Sequence, residues 1–596
     1  MANLLEGFVE TRNVSASGFR EILDAIDQRI TLLSHESALS THEFVELTAL
    51  YNNAAYILLY LDANSAHIEV DFLEHYREAL GARRPRNDRL IALIKKVEVD
   101  SRELEVSKDA FLEFFEQKAG IEEKREADAV AELRRRGAVW RENLDREKSS
   151  FLARLGVNVG SSRPDAALYA LLSGIESSDV RRRLGAAWRD ICERHNDELC
   201  SLIDRLVAVR KESAAAQGDV SITERTLRYS QLDVATVRNF LDCSLQIARA
   251  EHEELENDLN ERYGPGGVRA HFASRVALVR AKEAPTSVAL EPCIKFALKI
   301  AHDHFGLDSC HVASAPEHMI TYDIMRCGKR IGRINFDLWG EHLGRLTNTT
   351  QGLRNRTNWT DIIQEPVAHI SCRFKKRPGQ EPTINFQNAH SLLHEFGHAL
   401  NHLLVTPRLP NLSGLEYLPL ERLEILSMWF ERWVFHPAFE SALSVGSNKP
   451  VDLEKAREIK RLEYVRTHLE RNVLAMLDFE LHQGTAPISE VYAGIDQRYD
   501  IAELCPLSDV LPCFFWPILM ERPSGYFCYL WAAASSAERF EKISKRSEKL
   551  EDTNVAWELE FRDCFEFDAP SEMPNIAALY RFYEKPNTNI NPKDSL

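Results

Sequence analysis

The stretch NAHSLLHEFGHALNHLL, residues 388–404, constrains the fold more than any other part of this 596-residue chain. At about 100° per residue, Leu392, Leu393, Phe396, Ala399, Leu400, Leu403 and Leu404 gather on one arc of a helical wheel, a face that has to be buried. His390, His394, Glu395, His398, Asn401 and His402 crowd the opposite side, where a surface helix ordinarily shows pairs of Lys and Glu, and the stretch holds no Lys or Arg. Residues four apart on a helix lie one above the other, so His394 and His398 can converge on one cation while Glu395 reaches a water held there. A catalytic Zn²⁺ takes three protein ligands and leaves its fourth position to water. Two histidines are too few, so the chain has to return and supply a third group.

A returning helix is present in the sequence. LERLEILSMWFERWVF places Leu423, Leu426, Phe430, Trp433 and Val434 at helical spacing, with Glu424 and Glu431 seven apart on nearly one face. The segment between, VTPRLPNLSGLEYLP, has three prolines and a glycine and reads as a connecting loop. Glu424 can close the site. Taken as helix chemistry alone, Glu421, Glu424 and Glu431 are each more often solvated charges.

LLHEFGHAL followed by LEILSMWFE resembles the thimet oligopeptidase, mitochondrial intermediate peptidase and oligopeptidase F family of HExxH zinc metallopeptidases. GRINFDLWGE, EPVAHISCRF and SGYFCYLWAAASSAERF resemble further segments of that family, in its order, over roughly residues 330 to 540. The resemblance implies one Zn²⁺ held by His394, His398 and Glu424, with Glu395 as general base. It places Ser427 and Glu431 on the ligand helix, Glu431 beside His390 around the ligands, and makes Tyr526 and Tyr529 phenolic donors to the reaction's oxyanion. A strand near Ala368 and His369 would pair with the peptide backbone. The implied fold is mainly α with a small β-sheet beside the active site, two helical halves flanking a deep substrate channel that admits short or unfolded peptides. Residues 1–290 would form a helical wall and 291–596 the catalytic domain.

The departures from the family pattern are local. Its usual His before the tyrosine block falls on Pro517 or Ile518, and its loop Tyr on Arg522, whose guanidinium is a candidate to stabilise the oxyanion or clamp a substrate carboxylate. Where the family tends to carry a carboxylate one turn before the first ligand, this chain has His390. The third histidine that often follows the motif is Asn401 here, with His402 one further on. An intact Glu395 favours an active endopeptidase over a non-catalytic zinc-stabilised peptide-binding scaffold, because a structural zinc site has no use for a base. A dedicated precursor-maturation peptidase remains the alternative among enzymes.

Composition fits a large soluble enzyme, with 44% hydrophobic and 28% charged residues. The formal charge of −17 disfavours nucleic acid as a partner. AAYILLYL is far short of the roughly 18 to 20 residues of a membrane span. Glu6 and Glu10 argue against a leader or transit peptide, which suggests a cytoplasmic protein, or a trimmed mature form in the mitochondrial matrix. Eleven cysteines without a CxxC pair speak against a disulfide framework, Cys528 being the candidate for exposure. Amphipathic helices are expected up to about residue 290, and short strands follow in MITYDIM, GRINFDLW, VAHISCRF and TINFQ before the chain turns helical again.

Overall fold

The computed structural model describes residues 16–63, 84–99, 101–115, 121–159, 163–175, 177–216, 218–263, 287–313, 319–339, 348–375, 382–406, 409–444, 454–547, 560–566 and 572–583. The fold is mainly helical with a small mixed sheet. The chain forms two compact units, each assembled from separated stretches: Met1–Gln117, Ser287–Val451 and Ile543–Pro570 in the first, Lys118–Thr286, Asp452–Lys542 and Ser571–Leu596 in the second. One of these crossings, between Thr286 and Ser287, falls near residue 290, where the sequence changes from helices to strands. The others have no counterpart in that sequence division.

The first unit contains the sheet. Its strands are β1 (Asp308–His311), β2 (Ile320–Arg326), β3 (Lys329–Asp337), β4 (Thr349–Arg354) and β5 (Val367–Ser371), in the spatial order β1-β2-β3-β5-β4. The β3–β5 pair is parallel and the others antiparallel. Against this sheet lies α1 (Phe386–Leu404), followed by α2 (Leu420–Arg432). The expected strand in TINFQ stops at Asn385, because the Asn385 side chain accepts the Asn388 N–H at 2.7 Å and caps α1. Leu392, Leu393, Phe396, Ala399, Leu400 and Leu403 of α1 have no exposed surface. Phe396 stacks on Phe336 of β3 at 6.3 Å and meets Phe430 of α2 edge-on at 5.2 Å, so the metal-motif helix is wedged between sheet and second helix. A second apolar core in this unit joins Phe44, Tyr56 and Phe111 to Leu353 and Val367.

The second unit is built on long helices, among them Ile121–Arg154, Asn196–Ala216, Val234–Tyr263, α3 (Glu454–Gln483) and α4 (Phe527–Ser547). Trp140, Trp188, Phe240, Leu477 and Trp531 share one apolar core there, with Phe240 and Trp531 4.9 Å apart. No described helix is long and apolar enough to cross a membrane. All eleven cysteines are free, and Cys528 is buried rather than exposed.

Candidate metal centre and active site

The helical spacing of His394 and His398 puts both imidazoles on one side of α1, and the loop after α1 returns α2 directly against that side. Gly397 makes the approach possible: a Cβ there would sit 2.5 Å from Ser427 Cα and 2.8 Å from the Leu426 carbonyl oxygen. Glu424, one turn before Ser427, consequently faces the two histidines. His394 Nε2 and His398 Nε2 are 3.2 Å apart, and Glu424 Oε2 lies 3.5 Å from the first and 3.3 Å from the second. Three corners of a tetrahedron with bonds of about 2.0–2.1 Å are about 3.3–3.4 Å apart, so the donor set fits a small divalent cation. Among the described residues this is the one such group of histidine, cysteine and carboxylate donors.

Surrounding groups orient the triangle. Glu431 Oε2 accepts from His394 Nδ1–H at 2.8 Å, which fixes a proton on the far nitrogen and turns Nε2 inward. His390 Nε2 stands 3.7 Å from Glu431 Oε1, so its charge acts on that carboxylate. Ser427 Oγ donates to Glu424 Oε2 at 3.1 Å. Glu395 and Glu424 are buried, and for Glu424 burial alone would raise the pKa and disfavour the charge. For Glu424 the neighbouring His398 and His394, with the Ser427 hydroxyl, reverse that and hold it at about 2. Glu431 is likewise held at about 2, against burial, by His390, His394 and Arg432. Burial pulls His394 down, yet the bond to Glu431 and the charges of Glu431, Glu424 and Glu395 outweigh it and lift the imidazole to about 9. A bound cation would take the place of the proton on Nε2.

Glu395, one residue after His394, takes a hydrogen bond from Thr350 Oγ1 at 2.8 Å. Thr350 lies on β4, an element absent from the strands expected from sequence, and no motif singles it out. Gly397 likewise carries no mark in the sequence except its place inside HExxH. His402 is buried and neutral: it donates Nε2–H to the Arg354 carbonyl at 2.8 Å and accepts the Leu415 N–H on Nδ1 at 3.3 Å, in a gap left by Gly352.

A match to Peptidase family M3 spans residues 171–556, more than half of the chain and all of the elements just described around His394, His398 and Glu424. The chain belongs to peptidase family M3. Relatives in that family include Oligopeptidase A of Escherichia coli K12, 26% identical over 198 residues, which are 31% of this chain and 28% of that protein. Mitochondrial intermediate peptidase of Neurospora crassa is 28% identical over 182 residues, 28% of this chain and 22% of its own length. The matched stretches therefore span less than a third of these curated relatives. A solved structure of PZ peptidase A with inhibitor 2 aligns over 95% of this chain and 93% of its own at 14% identity, with a TM-score of 0.49.

Within this M3 chain the remaining candidates divide by unit. Ala368 and His369 lie on β5 with no exposed surface, and both edges of β5 are taken, by β3 and β4. Both neighbours of β5 are strands, so it offers no edge for the expected pairing with a peptide; among the described residues β4 is the outermost strand on that side. Tyr526, Tyr529 and Arg522 belong to the second unit. Tyr526 is buried, Tyr529 half-buried, their rings 5.5 Å apart, and Trp516 packs on Tyr526 at 5.9 Å. Burial pushes the Tyr526 phenol up. Arg522 is exposed, at the end of the short helix Pro517–Glu521. The turn after it is held from beneath: buried Asp478 accepts the N–H groups of Ser524 and Tyr526 at 3.0 and 3.2 Å, and Thr226 Oγ1 donates to the Pro523 carbonyl at 2.9 Å.

Proposed function

We propose that this chain is a zinc-dependent endopeptidase that hydrolyses internal bonds of short or unfolded peptides. The observation that carries the reading is the triangle of His394 Nε2, His398 Nε2 and Glu424 Oε2 with a buried carboxylate, Glu395, on the very next residue of the ligand helix. Family membership and the resemblance of the motifs support it. Zn²⁺, when bound by these three side chains, supplies Lewis acidity toward the scissile carbonyl and a water made acidic enough to react near neutral pH. Glu395 would accept a proton from the attacking water and deliver it to the departing amide nitrogen. Glu431 and Ser427 keep His394 and Glu424 turned inward throughout. Tyr526 and Tyr529 are the phenols that the family resemblance assigns to the oxyanion. Arg522, on its supported turn, is the cation for a substrate carboxylate. An extended peptide would be registered by main-chain hydrogen bonds along the outermost strand β4, which gives affinity with little side-chain preference.

The test is Glu395→Gln, assayed by mass-spectrometric mapping of a mixed peptide pool. Wild type should cut many peptides at internal bonds, and the variant should keep its metal while turnover falls by about 10²- to 10⁴-fold. Undiminished cutting by the variant would remove Glu395 from its role, and a wild type that cuts nothing in the pool would leave a binding scaffold.

A further inference from the structure

We propose that Thr350 is a positioning residue for the peptidase reaction, holding the Glu395 carboxylate in one orientation. The inference rests on the reading of Glu395 as general base and adds a residue to it. Thr350 Oγ1 lies 2.8 Å from Glu395 Oε2 and 2.8 Å from the Glu395 carbonyl oxygen. A hydroxyl has one proton to give, and the ionised carboxylate is the stronger acceptor of the two. Among the described residues Thr350 is the hydrogen-bond donor to this carboxylate, and Oε1 is left free for a reacting proton. A glutamate side chain is otherwise flexible, so a single fixed donor removes rotamers that point the base away from its water.

The donor itself is fixed by more than its own rotamer. β4 is seated on α1 at two further points: a Cβ at Gly352 would meet His402 Cε1 at 2.4 Å, so only glycine lets the strand this close, and His402 Nε2–H donates to the Arg354 carbonyl at 2.8 Å. Thr350 and Gly352 are two apart on a strand and so share the face turned to α1. The hydroxyl is thus positioned by backbone packing, the arrangement that holds a functional group to a fraction of an ångström. Because β4 is also the outermost strand of the sheet on that side, one residue would align both a peptide paired with it and the base that takes the proton of the attacking water.

Thr350→Val removes the hydroxyl and keeps shape and strand preference, Thr350→Ser keeps the hydroxyl, and Thr350→Ala is the second deletion should valine fold poorly. Steady-state kinetics on a quenched peptide, zinc content, unfolding temperature and a crystal structure of the valine variant are compared with wild type and Glu395→Gln. Valine should lower kcat about 10- to 100-fold, as for a lost hydrogen bond to a charged group, with KM within about twofold. Zinc content and unfolding temperature should stay at the wild-type values, the Glu395 carboxylate should spread over several rotamers, and serine should restore kcat to within a few-fold of wild type. An unchanged kcat in both deletions overturns the proposal, as does a loss that serine fails to rescue or that tracks lost zinc or stability. If Glu395→Gln is itself fully active, the reading of the base fails independently of Thr350.

Discussion

At the residue scale, the histidines of α1 divide into two chemical kinds that sequence alone does not separate. His394 is lifted to about 9 by the carboxylates around it, whereas His402, two turns on, is pushed to about 4 because burial outweighs its bond to the Arg354 carbonyl. HExxH marks His394 and His398 as a pair, but His402 looks no different on a helical wheel, since the wheel shows direction and not the Gly352 gap into which the ring fits. His402 has a folded value below its ordinary one of 6.5, so the unfolded chain binds its proton first as pH falls. Its stabilising contribution is complete above about pH 6.5 and is lost progressively as pH falls through about 4. Chemical denaturation of wild type and His402→Gln between pH 7.5 and 5 measures this: the wild-type stability should fall more steeply below pH 6.5, by up to about 1.4 kcal/mol per pH unit. Parallel curves would show that His402 carries no such linkage.

At the scale of elements, the site depends on how closely α1 and α2 approach. Both helices are legible in the sequence from apolar positions at helical spacing, and the proline-rich loop between them marks the return. β4 is not legible: TTQGLR has neither alternation nor β-branched core residues beyond Thr349 and Thr350, because an edge strand half open to solvent needs neither. Gly397 is the point where the helices touch, and the cost of filling it follows from the backbone atoms it would strike. Gly397→Ala gains helix propensity of about 1 kcal/mol but has to displace Ser427 Cα and the Leu426 carbonyl, an overpacking cost of about 1–3 kcal/mol or more. The variant should unfold at a lower temperature and bind less zinc, since any separation of the helices pulls Glu424 from His394 and His398. Calorimetry with elemental analysis checks both, and wild-type values in each would mean that the helix contact does not set the ligand triangle.

For the whole molecule, the sequence shows the order of helices and strands but not which distant stretches share a core. Val234–Tyr263 and Glu454–Gln483 contribute to one apolar cluster in the second unit although about 200 residues separate them, and helical periodicity states only which face is buried, never against which partner. The same limit explains why β5, an alternating apolar run, resembles a strand available to a peptide until the sheet order shows both its edges paired. What ties these elements to one activity is the cation that the converging side chains are built to hold. Elemental analysis of protein purified without chelator, alongside His394→Ala and Glu424→Ala, tests this most directly. One zinc per wild-type chain, with both variants empty, is the predicted result; wild-type protein without stoichiometric metal, or variants that retain it, would contradict the account.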